Sequence, residues 1–478
     1  MKRISYLIFF AGVSLALASC GDNKESEPQE PSSDKVLVLR SISVEEDATI
    51  SPIDEIFVDY NNLIGINKES SATLNGAKIE AYVNPSNGMQ LVIPVNCDWN
   101  QDYVVRVPEG MVGLKEDMKS THKGFTLTFH TTVGTNPSSI DQNLTNAKAT
   151  PEAKALYAEL LSNYGKVMYS GAMGGVAWET GYTDYIASVN DGAGYPKIVG
   201  FDYIHLAYSP ANWINYGDIT PVQNVWKAGS IPTITWHWNV PDVSSDGTIL
   251  SPDLLTFNGS FSPIAAMTPG TPQNDIVEAD IKKMAGYMKL LQDANIPILF
   301  RPFHEAAGDY IWGPWFWWGK DGVEATKQLW NYLRTKLENE YGLNNLIWIW
   351  TVQTSSEGKP ADIEVIRNAY PGDDVVDMVG VDLYPDKPMT DQTHQFAIVN
   401  SMVEGKKMVT LSEVGNLIDP AIAFENHSLW SYFMNWYDFS ENNVFGFKEW
   451  NTQPVTYNGK KYDNPWAAVA NSPYVVNR

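Results

Sequence analysis

Beyond about residue 139, short apolar runs alternate with longer segments whose apolar positions recur every three or four residues. The runs fall at 166–171, 197–201, 231–238, 296–304, 345–351, 376–384, 407–413 and 443–450, and read as buried strands. The segments between them, such as 274–294 and 323–340, carry the periodicity of amphipathic helices. Strand and helix repeating in this way over one chain segment predicts an α/β fold, a (β/α)8 barrel of the TIM type over 139–478, with its chemistry at the C-terminal strand ends.

The pattern ahead of it differs. Across 36–133, short runs with alternating apolar residues, the clearest at 55–60, 78–83, 89–95, 103–107 and 125–131, are separated by turn residues, with Asn75-Gly76 as a tight-turn signal. In the last of these, Phe125, Leu127 and Phe129 share a face and are expected to point inward. An all-β sandwich follows, joined to the barrel through 134–139, which is rich in turn residues. This stretch resembles the immunoglobulin-like modules placed ahead of bacterial glycosidases; a spacer role and sugar binding both remain open for it.

The first residues, Met1-Lys2-Arg3, precede an apolar stretch over 4–18 that is short for a membrane span, and a strongly polar segment follows. This is the pattern of a secretory signal over 1–19. Leu17-Ala18-Ser19-Cys20 resembles the lipobox of bacterial lipoproteins, which implies acylation of Cys20. Residues 20–35, rich in Asp, Glu, Ser and Pro, then read as a flexible tether. Acidic residues directly behind Cys20 resemble signals for the cell exterior, so the expected location is the outer membrane of a Gram-negative bacterium, facing outward.

Charge narrows the partners. Against 33 Lys+Arg stand 56 Asp+Glu, a net charge of -23 that repels nucleic-acid phosphates and anionic headgroups. A neutral substrate suits such a surface, with membrane contact only through the anchor and the protein as a monomer. The 17 Trp offer flat apolar faces of the kind that sugar rings stack on, although most Trp pack interiors. Two cysteines, Cys20 and Cys97, make no disulfide framework.

Polar and aromatic residues gather at the predicted strand ends. Strand three ends Trp236-His237-Trp238-Asn239, strand four Arg301-Pro302-Phe303-His304-Glu305, strand six Asp382-Leu383-Tyr384 and strand seven Leu411-Ser412-Glu413-Val414-Gly415-Asn416. Glu305 and Glu413 would face each other across the barrel mouth. Paired carboxyls there are the equipment of a glycosidase, one group attacking carbon while the other protonates the leaving oxygen. His304-Glu305 is not a zinc-protease motif, because Gly308 stands where a second histidine is required, and no phosphate-cradling or dinucleotide-binding loop occurs. No metal and no cofactor is implied.

Arg301-Pro302-Phe303-His304-Glu305, followed by Trp315-Phe316-Trp317-Trp318-Gly319 and by Leu411-Ser412-Glu413-Val414-Gly415, resembles glycoside hydrolase family 26, the β-mannanase family. The resemblance implies a retaining endo-β-1,4-mannanase acting on mannan, galactomannan or glucomannan by double displacement. Carried over by position, Glu305 matches the acid/base, Glu413 the nucleophile, His304 a neighbour tuning the acid/base and Tyr384 the tyrosine orienting the nucleophile. His237 matches a sugar-contacting histidine, Trp236, Trp315, Trp318 and Tyr310 are candidate sugar contacts, and Trp450 matches the aromatic floor under the sugar being cleaved. Residues 306–314 exceed the family's usual spacer here, so Tyr310 and Trp315 compete for one stacking role, with Trp315 favoured by its flanking motif. A β-xylanase or mixed-linkage β-glucanase of the same family, or a glycan-binding lipoprotein without turnover, are the alternatives.

Overall fold

The computed structural model describes residues 36–478 except 51–52, 54, 86, 98–100, 117, 119, 132–136, 176–177, 205–213, 255–258, 307, 309–312, 354–359, 386–387, 391, 437–450 and 458. Two compact units divide between Thr132 and Val133.

The first unit is all β. One sheet runs in the order Leu39–Ile42, Glu55–Tyr60, Gln90–Pro94, Tyr82–Val83, a second in the order Ala48–Ile50, Phe125–Thr131, Asp102–Val107, Ala72–Leu74, Ala77–Ile79, and Val112–Leu114 pairs with Ile64–Ile66 in a small third. Alternation does what it predicts: Leu127 and Phe129 join Ile56, Val58, Leu91, Ile93 and Val105 in one buried cluster, with Phe125 at its edge. Asn75 and Gly76, at φ 49° and 83°, make the two-residue turn between Ala72–Leu74 and Ala77–Ile79. The single strand expected at 78–83 is instead split, and its halves belong to different sheets.

The second unit is a closed barrel of parallel strands: β1 (Gly171–Met173), β2 (Ile198–Asp202), β3 (Ile231–Trp236), β4 (Ile298–Pro302), β5 (Leu346–Gln353), β6 (Met378–Leu383), β7 (Met408–Val414) and β8 (Phe433–Asn435). Helices including Pro151–Asn163, Pro272–Asp293 and Val323–Thr335 follow the strand pattern outside it. Their starts are written in the sequence. Thr150 and Thr271 each accept from a backbone N–H three residues on, with Pro at the first helical turn, where its missing N–H costs no bond.

Two expected strands are corrected. At 166–171 the chain makes two pieces: Met168–Tyr169 pairs with Val475–Val476, and the barrel strand begins only at Gly171. The eighth strand is Phe433–Asn435, which closes the barrel through Ala172 opposite Asn435, whereas 443–450 lies outside the described residues. Asn435 is the clasp. Its amide donates to the Val414 and Gly415 carbonyls, and its carbonyl accepts from the Tyr182 hydroxyl and the Trp466 indole.

The barrel interior is tight beneath the site. A Cβ at Gly380 on β6 would lie 1.8 Å from Ser412 Oγ and 2.9 Å from Thr410 Oγ1, both buried on β7. Gly380→Ala is therefore expected to destabilise the fold by about 1–3 kcal/mol, read as a lowered midpoint in thermal or urea unfolding. An unchanged midpoint would mean that β6 and β7 are not packed in this way.

Candidate active site

Glu305 and Glu413 meet across the barrel mouth. One oxygen from each, together with one from Asp382, lie within 4.8 Å of one another. Glu413, in β7, is held at both oxygens: Arg301 Nη2 donates to Oε1 at 2.8 Å and the Tyr384 hydroxyl donates to Oε2 at 2.8 Å. Arg301 also reaches Asp382 Oδ1 at 3.5 Å and is 1 % exposed. Two donors, one of them cationic, suit an acceptor-only carboxylate with a fixed orientation. Gly415 makes room for this, since a Cβ there would be 2.7 Å from Tyr384 Cδ1.

Glu305 sits where the chain leaves β4 through a contorted bend. Phe303 and Glu305 both adopt φ 53°, costly for residues with side chains. Surrounding bonds hold the bend. The Glu305 N–H donates to Thr351 O at 3.1 Å, the Gly308 N–H donates to Glu305 O at 3.0 Å, and the Trp318 indole donates to His304 O at 3.0 Å. Trp315 finishes the placement by donating Nε1–H to Glu305 Oε2 at 2.9 Å.

The environment then separates the two glutamates. Burial, and after it the charge of Glu413, push the Glu305 carboxyl up to about 8, against weaker opposing pulls from the Trp315 bond, His237 and Arg301. Burial followed by Glu413 also holds Asp382 well above the usual carboxylate range. Burial acts against the charge on Arg301, yet Glu413 and Asp382 outweigh it and raise the group above its ordinary value. Tyr384 is half exposed, but desolvation of its hydroxyl and then the charge of Glu413 hold it well above its ordinary value, so the hydroxyl stays a donor. Glu305, Asp382 and Glu413 have the geometry of a cation site, but the guanidinium of Arg301 already supplies the positive charge against two of them.

The structure assembles His304 and His237 beside this pair and excludes two expected sugar contacts. His304 packs 4.2 Å from His237, ring centre to ring centre, and burial, then His237 and Arg301, hold it well below the ordinary histidine value. Alternation along β3 turns Thr233 and Thr235 inward, toward Leu299 O and Arg301 O, and continues to His237. Trp236 therefore faces the other way, stacked at 3.7 Å on Trp238, whose indole donates to Asp280 on the helix Pro272–Asp293. It is 1 % exposed and offers no face to a sugar. Trp318 is likewise fully buried, stacked on Phe316 and bonded to His304 O, so it supports the bend and has no exposed face. Trp317 is a third indole anchor, donating to Trp238 O.

Tyr310, Trp312, Glu449 and Trp450 lie outside the described residues, as does Cys20. The eighth strand ends at Asn435. The aromatic at its tip is Trp436, half-buried, with its ring 5.7 Å from that of His237. The sequence reading also left Asp202, Arg301, Asp382 and Gln353 without roles. Asp202 holds His237, and Gln353, at the tip of β5 opposite Asp382, has a buried Oε1 with no partner among the described residues. The available signal was position: each stands at or beside the C-terminal end of its strand.

Residues 145–471, more than half of the chain, match the family model described as "Glycosyl hydrolase family 26". The chain belongs to this family. A "Mannan endo-1,4-beta-mannosidase B" of Piromyces sp is 33 % identical over 311 residues, covering 63 % of this chain and 49 % of that one. A "Mannan endo-1,4-beta-mannosidase" of Thermothelomyces thermophilus is 32 % identical, covering 66 % and 60 %. Among solved structures, the family 26 domain of a Prevotella bryantii endo-β-mannanase/endo-β-glucanase is 32 % identical with a TM-score of 0.59, covering 70 % of this chain and 98 % of that domain. The chain spans about half the length of the Piromyces relatives it matches. The family 26 segment includes every barrel residue named above as a site candidate.

Proposed function

We propose that the protein is a retaining endo-β-1,4-mannanase, cutting mannan-type polysaccharides by double displacement. The observation that carries the chemistry is the Glu305 and Glu413 pair: nearest oxygens within 4.8 Å, one carboxylate fixed by two donors and the other carboxyl pushed up to about 8. Inverting enzymes keep about 6.5–9.5 Å between their carboxyls to admit a water, whereas retaining enzymes keep about 5–5.5 Å. The substrate class is supported by the mannanase names of the fungal relatives and of the Prevotella domain.

In the first step a Glu413 oxygen bonds to the anomeric carbon while the glycosidic C–O bond breaks. The Glu305 proton passes to the leaving oxygen, so one glycan fragment departs with a new hydroxyl. In the second step Glu305, now a carboxylate, takes a proton from water, whose oxygen attacks the same carbon and breaks the ester to Glu413. Tyr384 and Arg301 hold Glu413 in line throughout. Trp315 holds Glu305, and Trp436 is the aromatic placed to floor the sugar being cleaved.

The test is product release from β-mannan, glucomannan, xylan and mixed-linkage β-glucan by the chain lacking its first 35 residues. Short manno-oligosaccharides of retained configuration, with xylan and mixed-linkage glucan uncut, are expected. Preferential cutting of either other polymer would replace the substrate assignment. Binding without cutting of any would replace the enzyme by a glycan-binding protein.

A further inference from the structure

A second pair of buried ionisable groups lies beside the glutamates and takes no part in the two steps above. Asp202 ends β2, and His237 follows β3, its neighbour in the barrel. Asp202 Oδ2 lies 2.5 Å from His237 Nδ1, and Oδ1 accepts the His237 backbone N–H at 3.1 Å. The two side chains are 3 % and 6 % exposed. A carboxylate bonded to both the ring and the backbone of one residue fixes where that ring is and which nitrogen it commits. Only Nε2 of His237 is left to meet a substrate.

We propose that Asp202 is a positioning residue that keeps His237 a buried imidazolium, so that its Nε2–H is a fixed donor to a hydroxyl of the sugar being cleaved and its charge steadies Glu305. The inference rests on the glycosidase reading above. Among the described residues, the charged and titratable groups that act on His237 are Asp202 from β2, Glu413 from β7, Arg301 from β4, and His304 and Glu305 just beyond β4. Burial alone strips a proton from an imidazole. Asp202, the nearest carboxylate, is the first of the groups that reverse this, and His237 is raised above its ordinary value. His304 is held well below its ordinary value, first by burial and then by the charge of His237, in edge contact at 4.2 Å. The proton of the histidine pair is thus assigned to His237. Its charge favours the Glu305 carboxylate and so limits how far that acid is raised.

The experiment has two arms. First, ring-nitrogen NMR of the chain labelled at histidine, with His237 assigned through His237→Gln, reads the charge of His237 without any turnover. Both ring nitrogens are expected to be protonated at pH 5 and to keep their protons to higher pH than a free histidine, with a strongly downfield Nδ1–H proton that vanishes in Asp202→Asn. A His237 that is neutral from pH 5 upward, or that loses its proton as a free histidine does, overturns the proposal whether or not the chain cuts mannan. Second, Asp202→Asn is expected to lower kcat/KM on the order of 10²-fold and to move the alkaline limb of its pH profile upward, because Glu305 loses a neighbouring cation. An equal loss of rate with an unmoved limb would reduce Asp202 to a structural residue and overturn the proposal. Failure of the parent to hydrolyse any of the polymers refutes the glycosidase reading, and the first arm still decides the state of His237.

Discussion

Glu413→Ala is expected to lower kcat/KM on β-mannan by about 10⁴-fold or more. No nearby group can substitute. Asp382 is fully buried and held toward its neutral form, and Glu305 is committed to the leaving oxygen. The variant should still fold and bind polymer, because Arg301 keeps its contact with Asp382 and the barrel seam runs through Asn435. Alanine also leaves a hole between Arg301 and the sugar, a natural seat for a small anion. Added azide or formate is therefore expected to restore partial turnover on an activated aryl mannoside, with inversion at the anomeric carbon. Rescue with retention, or full activity without rescue, would place the nucleophile elsewhere.

The elements that were legible in the sequence are those whose pattern is long and uniform. β3, β5, β6 and β7 are mostly apolar runs buried on both faces, and the helices Pro272–Asp293 and Val323–Thr335 carry an unbroken period. β8 was hidden because it has only three residues, one of them the polar Asn435, whose job is to tie the barrel wall at Val414 and Gly415 to Tyr182 and Trp466 on the flanking helices. The alternation farther on, at 443–450, made the stronger pattern. Missing the strand also meant missing Trp436.

Trp236 and Trp318 failed for another reason. Proximity in sequence to a catalytic motif does not say which side of the strand a ring takes, and the indole N–H of Trp318 is used to bind the His304 carbonyl. The glutamate pair itself was readable, because carboxylates at strand ends are otherwise expensive to bury. Asp202 had the same signature at the end of β2, but its partner is distant in sequence, and only the fold brings the two together.

Glu305→Gln is expected to separate the cost of chemistry from the cost of keeping it available. Removing the transferable proton should lower kcat on polymer by about 10²–10⁴-fold, and the loss should shrink on aryl mannosides whose leaving group needs no protonation in the first step. In the parent, kcat/KM should fall as pH rises through about 8, the value set by burial and Glu413, and this limb should be absent in the variant. The substitution should move stability the opposite way from activity. A carboxyl raised from 4.5 to about 8 stabilises the fold below its unfolded value, and that contribution is lost as pH rises through the folded one. Between those limits the unfolded chain carries the charge and the folded chain does not. The parent therefore loses up to about 1.4 kcal/mol per pH unit at this position, whereas glutamine loses nothing. Urea unfolding of both proteins at pH 4.5, 6 and 8 should show the variant gaining on the parent at each step, reaching about 3–5 kcal/mol at the top of the range. A gap that stays constant with pH would mean that Glu305 is not held protonated by its surroundings, and the acid/base assignment would then lose its physical basis.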